Sequence, residues 1–360
     1  MSIKKNNILL IVGDLSTPGG VSVFWNSLLS AFHKKDDFNF DILEIGGHGK
    51  NIFGPILDQW KVHKNIKSNK TTQLAVINPS LLNRSFFRDG LFAKQLANKL
   101  PFIVIFHGWD LDFEATVTKK YINFFLTSFG QAEKIFVLSD DFKNKIIEWG
   151  YKGEIILITT TVDATLANNF SLKEKFEKSK TDTSSKKILF LSRIIKEKGI
   201  FELVNAFENL NKRIENLELI IAGDGEAFDQ LKALVKNKRN IKLTGHVEGE
   251  EKITLLKESD IYILPSYTEG LPISVLEAML FGLPVITTKV GGLKKFFNDD
   301  KMGYFIEPKS TTDIENKIEL MLSNSDKLKE ISKFNYKYAQ KNLTNDVIAN
   351  SISIHLKELI

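Results

Sequence analysis

Short apolar runs alternate with longer amphipathic stretches along most of this chain. In its first half the strand-length runs are Asn7–Gly13, Phe40–Ile45, Gln73–Asn78, Phe102–Phe106, Lys134–Leu138 and Ile155–Thr159. In its second half they are Ile188–Ser192, Leu217–Ala222, Ile241–Thr244, Ser259–Leu264, Pro284–Thr288 and Gly303–Ile306. Between them, apolar residues recur at helical spacing over Val21–His33, Phe86–Leu100, Asp140–Trp149, Pro272–Phe281, Asp313–Ser323, Ser325–Gln340 and Thr344–Leu359. Runs apolar on both faces suit a parallel sheet covered by helices, so the pattern predicts an α/β protein of doubly wound type. The stretch Ser171–Lys187 (SLKEKFEKSKTDTSSKK) is polar and serine-rich and predicts a linker. Strand–turn–helix then restarts, which predicts domains at 1–170 and 187–341 joined by 171–186.

Length agrees with two domains, since 360 residues exceed one core of ordinary size. With 43% hydrophobic and 26% charged residues the composition is that of a soluble globular protein. No cysteine is present, which excludes disulfides, thiolate metal sites and a cysteine nucleophile, and six scattered histidines give no metal motif. No metal and no cofactor are therefore expected. Lys4 and Lys5 precede an apolar run far too short for a signal-peptide core, and no run approaches about eighteen apolar residues. The expectation is a cytoplasmic protein. A net charge of +5 does not argue for nucleic acid. Its distribution is uneven: from Gln59 to Arg88 there are Lys61, Lys64, Lys67, Lys70, Arg84 and Arg88 and no acid. A solvated loop is the first reading of that segment, and contact with an anionic membrane surface the second.

Chemistry concentrates in Leu264–Gly292, LPSYTEGLPISVLEAMLFGLPVITTKVGG. Pro272 suits the first turn of a helix and Gly282 the left-handed residue after its end. The helix is apolar except at Ser274 and Glu277, which share a face that runs back through Gly270 and Leu271 to Glu269. A buried carboxylate needs donors, from the protein or from a ligand rich in hydroxyls. The amides of Ile273, Ser274 and Val275, at the positive end of the helix dipole, make a seat for phosphate.

Three further places fit a ligand of that kind. Gly19-Gly20 in DLSTPGG opens the first helix and allows close approach of backbone amides. His107-Gly108-Trp109-Asp110 follows an apolar strand, where doubly wound folds bind ligands. Arg193 and Lys198 in RIIKEKG can grip a diphosphate, the first bidentately and the second as a point charge. Gly223-Asp224-Gly225-Glu226 is no dinucleotide fingerprint, because Phe228 stands where the third glycine is needed.

The spacing Glu269-x7-Glu277 within PSYTEGLPISVLEAM resembles the EX7E signature of the family 4 retaining glycosyltransferases, clearly over about 190–300 and elsewhere only at Gly19-Gly20 and His107. The resemblance implies the GT-B fold, two facing Rossmann-like domains with a cleft between them, and a terminal helix, 342–360, that crosses back onto the first domain. It implies catalytic roles for His107, Glu269, Arg193 and Lys198. It gives donor-binding roles to Gly19, Gly20, Gly223, Val247, Gly270, Leu271, Ile273, Ser274, Val275 and Glu277, with main-chain contacts to the base near Val247. Trp109 and Asp110 depart from the plainer sequences at this position and are assigned to an acceptor pocket. The activity implied is transfer, with retention and without metal, of a hexose from a UDP- or GDP-linked sugar to a glycan or polyprenyl-diphosphate-linked acceptor. Its usual setting is bacterial surface polysaccharide synthesis, peripheral on the inner face of the plasma membrane. Two alternatives remain: a sugar-nucleotide epimerase of the same fold, and a non-catalytic carbohydrate-binding protein.

Overall fold

The computed structural model describes residues 6–17, 19–47, 53–181 and 185–360. Lys4, Lys5, Pro18 and residues 182–184 of the expected linker lie outside them. The chain divides into two units, 162–344 forming the second and the rest the first.

The first unit runs β1 (Asn6–Gly13), α1 (Gly20–Lys35), β2 (Phe38–Ile45), α2 (Gly54–Ser68), β3 (Thr72–Ile77), β4 (Ser80–Leu81), α3 (Asn83–Leu96), β5 (Phe102–Ile105), β6 (Gly108–Trp109), α4 (Leu111–Thr116), α5 (Ile122–Thr127), β7 (Lys134–Val137), α6 (Asp140–Glu148) and β8 (Glu154–Leu157). Six strands make one parallel sheet in the order β2-β1-β3-β5-β7-β8, and β4 pairs with β6 alone. Ile8–Val12 is inaccessible on both faces, as a run without alternation requires.

The second unit runs α7 (Leu172–Thr181), β9 (Lys186–Leu191), α8 (Ile200–Asn211), β10 (Leu217–Ala222), α9 (Phe228–Val235), β11 (Ile241–Gly245), α10 (Gly249–Glu258), β12 (Ile261–Leu264), α11 (Ile273–Leu280), β13 (Val285–Thr288), α12 (Leu293–Phe296), β14 (Gly303–Ile306), α13 (Thr311–Ser323) and α14 (Ser325–Asn342). Its strands order β11-β10-β9-β12-β13-β14, again parallel. The winding reverses between β9 and β12, and ligands of such sheets bind beyond the carboxyl ends of the strands at that reversal.

A last helix, α15 (Asn345–Lys357), belongs to the first unit. Ile348, Ala349, Ile352 and Leu356 enter the cluster formed by β1 and α1, and the Asn345 side-chain amide donates to the Ser27 carbonyl at 3.1 Å. Lys134, nearly buried at the sheet, holds Glu154 (2.8 Å) and, from the end of the chain, Glu358, with His355 Nδ1 at 3.2 Å. These three side chains come within metal-ligand distance of one another, but the lysine ammonium already sits among them.

Two expectations are corrected, and one further segment is added. The acid-free stretch is not a loop: its first part is α2, with Pro55 in the first turn and with Asp58 and Val62 buried. Asp58 Oδ2 accepts from the Gly46 amide at 3.0 Å, which anchors the helix by its inner face. The polar segment read as a linker is largely α7, whose Leu172 is buried against Gly282. The added segment is 111–127, which carried no expectation and is helical, with a π turn at Val117–Tyr121 between α4 and α5.

Candidate functional site

At the reversal point of the second sheet, the loop after β9 carries Arg193 and Lys198, and the loop after β12 carries Glu269. Two glycines let these loops meet. Gly199 has φ +70°, and a Cβ there would stand 2.1 Å from the Pro265 carbonyl oxygen. Gly291 has φ +51°, and its Cβ would stand 1.7 Å from the carbonyl oxygen of Glu269 itself. Both approaches are closer than any side chain allows. They bring Lys198 Nζ to 2.5 Å from Glu269 Oε1, which also accepts from Ser266 Oγ at 2.6 Å. The pair is largely sequestered, with the Lys198 and Glu269 side chains 11% and 7% exposed.

Arg193 is different: it is exposed and holds no ion pair among the described residues, so its guanidinium is available to a ligand. The loop under it is fixed by the neighbouring strand end, since Ile194 donates to the Asp224 carbonyl (2.9 Å) and accepts from Ala227 (3.0 Å). Gly223 is extended to φ +142°, and a Cβ there would overlap the Ser192 carbonyl oxygen at 1.9 Å.

α11 follows the predicted outline with two differences. Pro272 is the residue capping the helix rather than its first residue, and the Val275 amide is not free, because it donates to the Pro272 carbonyl at 3.1 Å. The amide seat therefore reduces to Ile273 and Ser274. Gly282 ends the helix with φ +65°, as anticipated. Gly270 has open space around its Cβ position, and its carbonyl accepts from the Gly292 amide at 2.8 Å. Leu271 is partly buried against the core of this unit, and Val247 is buried within it.

Glu277 is buried on α11 and meets a protein donor: Lys252 Nζ of α10 lies 2.7 Å from its Oε1. Each motif carboxylate thus has its own lysine. The Ser274 hydroxyl shares a 2.7 Å hydrogen bond with Tyr262, which also reaches the Leu191 carbonyl at 3.1 Å. Burial, with the charges of Glu269 and Glu277 adding to it, raises the Tyr262 phenol and keeps it protonated. Tyr267 beside it is pushed up to about 12, first by burial and then by its 2.7 Å hydrogen bond to Glu202.

Lys252, Ser266, Tyr262 and Glu202 were not anticipated. Only Tyr262 left a signal, a phenol inside the otherwise apolar strand IYIL. Lys252 and Glu277 are 25 positions apart on different helices, and no local pattern joins them.

In the first unit, Gly19 caps α1 in an extended conformation, and both Gly19 and Gly20 are exposed and uncrowded at the start of the helix. His107 follows β5. Its ring packs edge-on to Phe24 of α1 at 4.1 Å, and both ring nitrogens are inaccessible and lack a hydrogen-bond partner. Burial lowers its pKa to about 3, so the imidazole is neutral at physiological pH. An unpartnered polar ring next to a strand end is costly in a protein without ligand.

Trp109 and Asp110, assigned from sequence to an acceptor pocket, are corrected. Trp109 stacks on Phe142 (4.3 Å) and Trp149 (5.8 Å) and donates to Glu114 Oε2 at 2.7 Å. Asp110 caps α4 through Phe113 N at 2.7 Å. Both side chains are committed to local structure.

Residues 172–338 match the family described as glycosyl transferases group 1. Over 99% of both chains the structure is similar to sucrose-phosphate synthase from Thermosynechococcus elongatus, with a TM-score of 0.73 and 17% identity. The fold is that of the GT-B glycosyltransferases, and the family likeness spans the second unit. Another solved neighbour is Anabaena Alr3699/HepE in complex with UDP and glucose, with a TM-score of 0.69 at 17% identity over 97% of this chain and 99% of that one. In sequence, the chain is 26% identical over 254 residues to the putative teichuronic acid biosynthesis glycosyltransferase TuaC of Bacillus subtilis. That alignment covers 69% of this chain and 63% of TuaC, under two thirds of the relative.

Proposed function

We propose that the chain transfers a hexose from a UDP- or GDP-linked sugar, with retention and without a metal ion, to a glycan or polyprenyl-diphosphate-linked acceptor. The setting is bacterial surface polysaccharide synthesis on the inner face of the plasma membrane. The observation that carries this is the pairing at the sheet reversal: an unpaired Arg193 and a carboxylate-bound Lys198 beside Glu269. Breaking the bond between the anomeric carbon and the diphosphate oxygen sends an electron pair to the leaving phosphate. Arg193, Lys198 and the Ile273 and Ser274 amides supply fixed positive charge where that charge grows. When the diphosphate takes up Lys198, Glu269 is released to accept hydrogen bonds from sugar hydroxyls. Glu277 holds the ribose. His107, being neutral, suits a hydrogen bond to the sugar rather than the role of a cation. The name of TuaC and the UDP-bound state of HepE support the polysaccharide setting and the uridine donor.

The test is thermal unfolding of the full chain with UDP, GDP, ADP and their sugar conjugates, with and without EDTA. A shift with one nucleotide that survives EDTA and disappears in Arg193→Ala supports the reading, because a ligand at a hundredfold its Kd stabilises by about 2.7 kcal/mol. No shift with any of them overturns it.

A further inference from the structure

At the amino ends of β9 and β12, the end of the second sheet opposite Lys198 and Glu269, lies a groove of about 1010 Å³. Lys175 lines it from α7, Thr254 and Lys257 from α10, and Lys186 and Asp260 from the strand ends. The side chain of Lys175 is half-buried, and its ammonium nitrogen is inaccessible and has no hydrogen-bond partner. The centre of the Phe170 ring lies 5.9 Å from that nitrogen, at the outer limit for a cation–π contact. The carboxylates nearby are already engaged. Asp260 accepts from Lys186 Nζ at 3.1 Å and from the Lys187 amide at 2.9 Å, and Glu258 accepts from Lys187 Nζ at 2.8 Å. Burial lowers the Lys175 pKa to about 7, with Asp260 opposing the shift and Lys186 adding to it. An amine held inaccessible without an acceptor is a cost to the folded chain that no contact within the protein offsets.

We infer that this groove binds a small oxyanion that also bears hydroxyl groups, with a carboxylate or phosphate oxygen accepting from Lys175. Lys257 holds no ion pair among the described residues and adds a second uncommitted cation to the same lining. Glu174, likewise without an ion pair among the described residues, and the Thr254 hydroxyl stand in the lining to meet hydroxyl groups. The groove is far larger than a bare ion needs and matches the upper end of the roughly 300–1,000 Å³ typical of small-molecule pockets. The oxyanion requires a charged amine, so binding to the neutral form takes up a proton. Affinity should therefore fall about tenfold per pH unit above pH 7 and level off below it. This site stands at the other end of the sheet from Arg193 and Lys198 and does not rest on the proposed transfer reaction.

The experiment is isothermal titration of the full chain with gluconate and with ribose 5-phosphate, one carrying a carboxylate and the other a phosphate. At least one should bind, about fiftyfold more weakly at pH 9 than at pH 7, and whichever binds names the oxyanion. Lys175→Met should weaken binding roughly ten- to a hundredfold at pH 7, the usual effect of losing a hydrogen bond to a charged group, and flatten the pH dependence. It should not lower the melting temperature, because an apolar side chain of similar length replaces an inaccessible amine that has no acceptor. Thr254→Trp, at an exposed position of α10, should obstruct the groove with the fold intact. Arg193→Ala should leave the binding in place, which separates this groove from the donor site. The inference is overturned if neither anion binds, if Lys175→Met leaves the affinity or its pH dependence unchanged, or if Arg193→Ala abolishes the binding.

Discussion

Replacing His107 by leucine tests whether this ring is a buried neutral group. Its pKa is lowered to about 3 in the folded chain by burial, against an ordinary 6.5. Between those values the unfolded chain binds a proton that the folded chain refuses. The stability this contributes is fully present above pH 6.5 and is lost as pH falls toward 3, at up to about 1.4 kcal/mol per pH unit. Leucine has no proton to take up, and because neither ring nitrogen has a hydrogen-bond partner, the substitution leaves no protein group unsatisfied. All four tryptophans, at 25, 60, 109 and 149, lie in the first unit, so their emission reports the unit that holds His107. Unfolding free energies from urea titrations followed by tryptophan emission at pH 7, 6 and 5 should fall by roughly 2 kcal/mol more in the wild type than in His107→Leu over that range, given the 1.4 kcal/mol slope below pH 6.5. The carboxylates and the other five histidines contribute equally to both chains. Equal pH slopes would refute the assignment and mean that the ring is solvated in solution and free to protonate.

Two substitutions address the second unit, where circular dichroism is the readout because no tryptophan lies there. Lys252→Met strips the buried Glu277 of its cation; with the lysine 23% exposed, a loss near the low end of about 3–5 kcal/mol is expected, and adding Glu277→Gln should restore most of it. Gly291→Ala forces an L-residue into the left-handed region at about 1–2 kcal/mol and drives its Cβ into the Glu269 carbonyl, so melting should fall and the nucleotide shift disappear with it.

The second unit was the more legible in sequence because its chemistry uses residue types that are expensive to bury. Glu269, Glu277, Arg193 and Lys198 stand beside apolar strands and glycines, and a charge in that position invites explanation from one dimension alone. The identity of their partners did not follow. Lys252 reaches Glu277 only because β12 and α11 fold back beside α10, and the sequence carries that in topology rather than in spacing. The two segments expected to lack structure share one cause: a polar composition that hides few buried anchors. α7 is highly charged but anchors itself through buried Leu172, and α2 turns only Gly54, Asp58 and Val62 fully inward. A helix held by so few buried positions shows a weak inward stripe, and its lysines dominate the pattern.

Trp109 and His107 differ in how the fold answers their polar atoms. Both follow β5, beyond the end of a strand where such folds bind ligands, His107 directly and Trp109 within β6. Trp109 finds two aromatic faces and a carboxylate within the chain, so its large surface and its indole N–H are both satisfied by the fold. His107 finds only Phe24, which packs against the ring and offers nothing to either nitrogen. A residue whose polar atoms are answered by the protein needs no ligand to account for it. One whose polar atoms are buried and unanswered, as both ring nitrogens of His107 are, carries that cost in the folded chain.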